Sequence, residues 1–238
     1  MHFMSSTIPY HIFPLGDSAM TVDFGNRISP ELNNAVMKLF HELETEPLPG
    51  MKESVPAYSS LSVHYDLLEC SRLRPSSQTV FEWMGGLLHQ RLKKLDYEEI
   101  TPSREVIVPV CYDPAYAPDL LALAKEKQLS VEEIIHLHSV NSYRVYLLGF
   151  LPGFTYLGET DEQLAISRKM QPAMVHAGSV GIAGRQTGIY SLTSPGGWHI
   201  IGRTPLTLFD KDRDPLTLLK PGDSIKFVSI SKDEFKDH

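Results

Sequence analysis

Three glycine-rich segments hold most of the residues whose types could do chemistry: GFLPGFTYLG from Gly149 to Gly158, AGSVGIAG from Ala177 to Gly184, and SPGGW from Ser194 to Trp198. Glycines at this density let the backbone adopt positive φ and bring N–H groups close to a bound molecule. Within and beside them stand the aromatics Phe154, Tyr156, Tyr190 and Trp198, the polar side chains Ser179, Gln186, Thr193 and His199, and the cation Arg168. One reading is a shallow pocket with aromatic walls, polar points that orient a ligand, and a guanidinium for a carboxylate or phosphate. The other is that the glycines are barrel turns and bulges and the aromatics are core. Spacing alone leaves both standing. His199, beside Trp198, reads first as a hydrogen-bonded structural imidazole, and Arg168-Lys169 as either an anion site or a solvated basic pair.

Other chemistries find no support in the residues. There is no G-x-x-x-x-G-K-S/T phosphate loop, no G-x-S-x-G nucleophile elbow and no H-E-x-x-H zinc motif. His136 and His138 sit two apart on an expected helix and face different ways, so no metal site is expected. Cys111 follows a buried-looking strand and reads as a small apolar filler. With 22 basic and 29 acidic residues the net charge is -7, which excludes a general electrostatic grip on nucleic acid. No run approaches the roughly 18 apolar residues of a membrane span. The opening MHFMSSTIPYHIF has neither a charged start nor a continuous apolar run, so no signal peptide is read there. Two cysteines, Cys70 and Cys111, suit a reducing compartment, and a cytoplasmic location is expected.

The elements that must position these residues follow from two periods. A strand over about Tyr10–Leu15 turns at Gly16-Asp17 into a half-buried strand, Ser18–Phe24, with Met20, Val22 and Phe24 on one face. A helix follows, with Ser29 as cap, Pro30 in its first turn, and Leu32, Ala35, Val36, Leu39, Phe40 and Leu43 in one stripe. Leu61, Val63 and Tyr65 mark the next strand, and a helix runs from about Ser77 to Lys93-Lys94. That order predicts an α+β N-terminal domain over 1–100, with a boundary in the polar stretch Tyr97–Arg104. A strand over Val106–Val110 and two short helices open the second part, the latter capped by Ser130 with Glu133. After a strand over Tyr143–Leu148 the texture changes: 11 of the 16 glycines lie between Gly149 and Gly222. Short apolar pieces parted by Gly and Pro predict a mainly β, closed or sandwiched domain over 104–238.

At this level the combined segments resemble a bacterial family. YLLGFLPGFTYLG (Tyr146–Gly158), AGSVGIAGRQTGIY (Ala177–Tyr190) and SPGGWHIIGRTPLTLF (Ser194–Phe209) are similar to the family of the B subunit of 5-oxoprolinase, also called allophanate hydrolase subunit 1, which includes the Kip-type inhibitor of a sporulation histidine kinase. Leu15–Ala19, Pro56–Val63, Pro109–Tyr112 and Ala117–Leu120 extend the resemblance over nearly the whole chain. His176 stands where the family usually has Pro, and Ser167-Arg168 where it tends to have Pro-Arg; Arg168 itself is retained.

The resemblance implies a cyclophilin-like β-barrel after the α+β domain, and work shared with the 5-oxoprolinase subunits A and C, the barrel binding the latter. It implies ATP-dependent opening of 5-oxo-L-proline to L-glutamate, with ATP bound with or by those partners and no cofactor for this chain alone. On this view Arg168, Gln186 and Tyr190 take catalytic roles. Phe154, Tyr156, Gly178, Ser179, Val180, Gly181, Gly196, Gly197 and Trp198 line the substrate, with backbone N–H groups around Gly178–Gly181 as anion donors. The alternatives are an inhibitor of a histidine kinase and a non-catalytic scaffold for the partner protein.

Overall fold

The computed structural model describes residues 8–95 and 104–236. These form two compact units that divide between residues 102 and 103. The polar stretch 97–103, where the sequence puts a boundary, and the opening residues 1–7 lie outside the described residues.

The first unit combines four antiparallel strands with three helices. The strands are β1 (His11–Pro14), β2 (Ala19–Asp23), β3 (Met51–Pro56) and β4 (Ser60–Tyr65), paired in the order β1-β2-β4-β3. Gly16, at φ +71, makes the corner between β1 and β2. Helix α1 (Pro30–Thr45) starts on Pro30, whose missing N–H costs nothing in a first turn. Its stripe Leu32, Val36, Leu39 and Leu43 packs in one core with Met20 and Val22 of β2 and with Leu61, Val63 and Tyr65 of β4. Strand β2 is buried on both faces, and its Thr21 hydroxyl is hydrogen-bonded to that of Ser62.

Two elements here escape a reading by periodicity. Strand β3 is an edge strand with an irregular register between Met51 and Glu53, so it shows no alternation. Helix α2 (Leu67–Leu73) buries only Cys70, so it has no stripe; it exists because Asp66 accepts from the N–H groups of Leu68 and Glu69. Helix α3 (Val80–Lys94) begins after Thr79, not at Ser77, because Thr79 and Glu82 cap each other reciprocally.

The second unit is a closed seven-stranded barrel, which makes this half mainly β. Its strands are β5 (Glu105–Cys111), β6 (Ser142–Leu148), β7 (Thr155–Glu159), β9 (Ser179–Ala183), β10 (Gln186–Ile189), β12 (His199–Arg203) and β13 (Ser224–Ile230). They run around the barrel in the order β10-β7-β6-β13-β5-β12-β9. Closure leaves no free sheet edge. All pairs are antiparallel except β13 with β5, parallel from Ser224–Glu105 to Ile230–Cys111. A separate ribbon pairs β8 (Ala173–Val175) with β11 (Ser194–Gly196). Helices α4 (Leu120–Lys127) and α5 (Val131–Ser139) pack on the barrel, the latter capped by Ser130 and Glu133 as the sequence predicts.

Val108, Val110, Val145, Leu157, Val180, Ile182, Ile189, Ile201 and Phe227 fill the barrel. His138 of α5 is buried among them, stacked 4.5 Å from Phe227. The Thr187 hydroxyl donates to the Gly181 carbonyl at 3.1 Å, so at 2.9 Å it accepts from Nε2–H of His138. Nδ1 is therefore the bare nitrogen and accepts the Tyr112 hydroxyl proton at 3.0 Å. The imidazole is neutral and both nitrogens are used, which rules it out as a metal ligand. Burial pushes its pKa down to about 3, whereas unfolded histidine titrates near 6.5. Between those values the unfolded chain takes up a proton that the folded chain refuses, so this contribution to stability rises with pH through the window. We expect urea midpoints to fall as pH drops below 6.5. His138→Gln should be less stable at pH 7 and should lose roughly one proton of uptake on unfolding from that pH dependence.

Candidate functional site

On β9 and β10 the side chains alternate. Val180, Ile182 and Ile189 face the barrel interior, so Gly181, Ala183 and Gly188 face out. This outer face carries a second apolar cluster of Phe154, Val175, Ala183, Tyr190, Trp198 and Ile200, with Leu151 and Tyr156 packed at its margin. A Cβ on Gly188 would lie 3.0 Å from Trp198 and 2.8 Å from the Thr155 carbonyl, and one on Gly181 would lie 3.1 Å from the Trp198 Cβ. The two glycines are a saddle for the indole. The rings meet edge to face: Phe154 is 4.9 Å from Tyr190, 4.6 Å from Tyr156 and 5.6 Å from Trp198. Gly196 lets β11 cross the Tyr190 hydroxyl, and that hydroxyl accepts the Trp198 backbone N–H.

Arg168 lies at the edge of this stack. Its guanidinium carbon is 6.0 Å from the Trp198 ring centroid, and the side chain is exposed. Burial raises the pKa of the Tyr156 and Tyr190 hydroxyls, and the Arg168 charge acts in the opposite direction on both. The backbone on either side of Arg168 is pinned. Ile166 and Gly184 exchange hydrogen bonds of 2.9 and 2.6 Å, the Lys169 N–H donates to Gly197 at 2.8 Å, and His199 Nε2–H donates to the Ser167 carbonyl at 3.0 Å. Among the described residues no carboxylate pairs with Arg168, whereas Lys169 is bound to Asp119 at 2.6 Å. The basic pair is divided: Lys169 is structural and Arg168 keeps a free charge on an aromatic platform.

The structure thus brings Arg168, Trp198, Tyr156, Tyr190, Phe154, Gly196 and Gly197 into one neighbourhood, with Gln186, half-buried, opening β10 on the same sheet. It corrects two expectations about them. Phe154, Tyr190 and Trp198 are at most 4% exposed, so they back the site as a packed layer and are not open walls. The N–H groups expected as anion donors are spent. Gly178 donates to Tyr190 at 2.7 Å, Ser179 to His176 at 3.2 Å, and Val180 and Gly181 lie in β9, paired on both edges. Gly178, at φ +82 and against the Thr204 carbonyl, is glycine for packing. Thr193 and His199 are likewise occupied, by the Ala177 N–H and the Ser167 carbonyl. Among the described residues there is no group of His, Cys, Asp and Glu fit for a metal, and no helix long and apolar enough to cross a membrane.

Two neighbours were not visible as such in the sequence. Asp119 falls there only within the Ala117–Leu120 segment of the family resemblance. Phe150 is exposed with φ +67, at the centre of a γ-turn closed by Leu151 N–H to Gly149 at 2.8 Å, and its ring stands edge-on 5.7 Å from Phe154. The glycines around Phe150 signal a turn but not that a phenylalanine occupies its left-handed position.

This geometry has known relatives. A model of the carboxyltransferase domain, subdomain C and D, matches residues 10–219, which defines the class of protein. The chain is 43% identical over 231 residues to the 5-oxoprolinase B subunit of Bacillus subtilis (strain 168), covering 96% of each chain. It is 36% identical over 215 residues to the 5-oxoprolinase B subunit of Escherichia coli O157:H7, covering 90% of this chain and 93% of the relative. The chain belongs to the family of the 5-oxoprolinase B subunit. Among solved structures, TTHA0988 matches with a TM-score of 0.76 at 37% identity over 90% of this chain, which spans 40% of that longer one.

The saddle makes a direct prediction. Gly188→Ala forces a methyl against Trp198 and the Thr155 carbonyl and should lower stability by about 1–3 kcal/mol. Urea unfolding checks this in a Trp83→Phe background, where emission reports Trp198 alone.

Proposed function

We propose that this chain is one component of an ATP-dependent 5-oxoprolinase that opens 5-oxo-L-proline to L-glutamate with partner subunits A and C, in the cytoplasm. Its own task is to receive the substrate carboxylate on Arg168. The observation that carries this reading is the unpaired, exposed guanidinium on the Trp198 platform, with pinned backbone on both sides. A fixed cation with free N–H donors suits a planar carboxylate, which it can bind through two parallel hydrogen bonds. Membership of the 5-oxoprolinase B-subunit family supports the choice of acid.

The lactam is a poor electrophile because amide resonance feeds its carbonyl. ATP would supply a phosphoryl group to the amide oxygen, with release of ADP; two waters would then be consumed as the ring C–N bond breaks to the free amine and the former amide oxygen leaves as inorganic phosphate, which leaves the new carboxylate. The residues described in this chain do not fit a triphosphate. The N–H groups of Gly178–Gly181 are already bonded in the turn and the barrel, and beside Arg168 the Lys169 ammonium is paired with Asp119. Nucleotide handling is therefore assigned to the partners, and the site is a shared one. What this chain contributes is position: Arg168 fixes the carboxylate, and Tyr156 and Gln186, on the same barrel face, orient the ring amide. Tyr190, buried behind Trp198, holds the platform.

The test is ATP-dependent glutamate release from 5-oxoproline by the three purified proteins together. Arg168→Ala should raise KM for 5-oxoproline about 10- to 100-fold, the loss expected for a hydrogen bond to a charged group, with Arg168→Lys between the two. An unchanged KM in Arg168→Ala would refute the assignment. Turnover by the isolated chain at the rate of the mixture would refute the shared site.

A further inference from the structure

Asp119 stands at the N-cap of α4, where an aspartate ordinarily accepts from N–H groups of its own helix, yet it makes no side-chain cap bond there. Its Oδ2 is turned outward instead. It accepts from Lys169 Nζ at 2.6 Å and from the Ile200 N–H at 2.6 Å, while the Asp119 N–H donates to the Ile200 carbonyl at 3.0 Å. Both partners of the ion pair are largely buried, at 22% and 19% side-chain exposure, so water screens it less than it would a fully exposed pair. Lys169 directly follows Arg168, and Ile200 lies two residues beyond Trp198. The same carboxylate oxygen therefore ties β12, the strand that directly follows Trp198, to the loop that carries the cation.

We propose that Asp119, acting through Lys169, is the positioning residue that holds the Arg168 guanidinium over Trp198. It does so in two ways. It fixes the Lys169 side chain and so the course of the loop after Arg168, adding a side-chain tie to the Lys169–Gly197 and His199–Ser167 backbone contacts. It also neutralises the adjacent ammonium, so that the anion-seeking charge at the rim is the one on Arg168. Without the carboxylate, Lys169 would be released as a second, mobile cation beside the first. The inference rests on reading Arg168 as the carboxylate receiver, but its structural half can be tested without turnover.

Asp119→Asn keeps the shape and an acceptor for the Ile200 N–H while removing the charge, and Lys169→Met removes the other partner while keeping much of the side chain's bulk. In the full chain, the side-chain protons of Arg168 should show ring-current shifts from Trp198, assigned by their loss in Trp198→Phe. Both variants should lose at least half of that shift. The amide protons of Gly181 and Gly188, which report the seating of the indole, should stay in place. In the three-protein assay both variants should raise KM for 5-oxoproline about tenfold, with kcat within about twofold. Arg168 shifts unchanged in either variant would overturn the proposal. So would loss of the glycine signals together with those of Arg168, which would make Asp119 a support of the fold alone. If the Arg168 shifts are lost while KM holds, positioning by Asp119 stands and the reading of Arg168 as carboxylate receiver fails.

Discussion

An indole seated on two glycines organises everything built on the outside of the barrel. Trp198 can lie against β9 and β10 only because positions 181 and 188 carry no side chain, and from there its ring meets Phe154, Tyr156 and the Arg168 charge. The alternation of a β-strand makes this possible: the residues flanking those glycines, Val180, Ile182 and Ile189, fill the interior while positions 181 and 188 leave room on the outer face. One pair of strands thus separates two cores. The inner one closes the barrel, and the outer one presents a rim.

The two cores treat polar groups differently, for the same electrostatic reason. Inside, His138 is admitted as a neutral ring with both nitrogens bonded, because a charge there would lose its water without gaining a partner. Outside, Arg168 keeps its charge by remaining exposed over an aromatic face, and Lys169 keeps its own by meeting Asp119. Two adjacent cations end in opposite states because, among the described residues, one has a carboxylate within reach and the other does not. A single free guanidinium on a rigid, apolar base discriminates better than two mobile charges, since its donors point one way.

Much of the scaffold was readable from local pattern. The stripe of α1, the Ser130–Glu133 cap of α5 and the strands around Met20, Leu61 and Tyr143 are encoded by neighbours in sequence and appear where the periods put them. Elements with weak patterns were not readable: β3 lies at an edge with a broken register, and α2 buries one cysteine. At the site, residue types pointed to the right neighbourhood but not to its solvent boundary. Phe154, Tyr190 and Trp198 look the same in a sequence whether they line a pocket or fill a core, and the N–H groups of Gly178 and Ser179 give no sign that β-barrel and turn bonds already use them.

By itself, then, the chain's sequence determined the order and kind of its stronger elements, the glycine-rich texture of its second half and the motifs that place it in its family. The tertiary structure decided which aromatic is buried, which donor is spent and which of Arg168 and Lys169 stays unpaired. The reason is distance along the chain: Asp119 selects Lys169 from 50 residues away, and a pairing of that separation exists only after the barrel has brought α4 and the loop together.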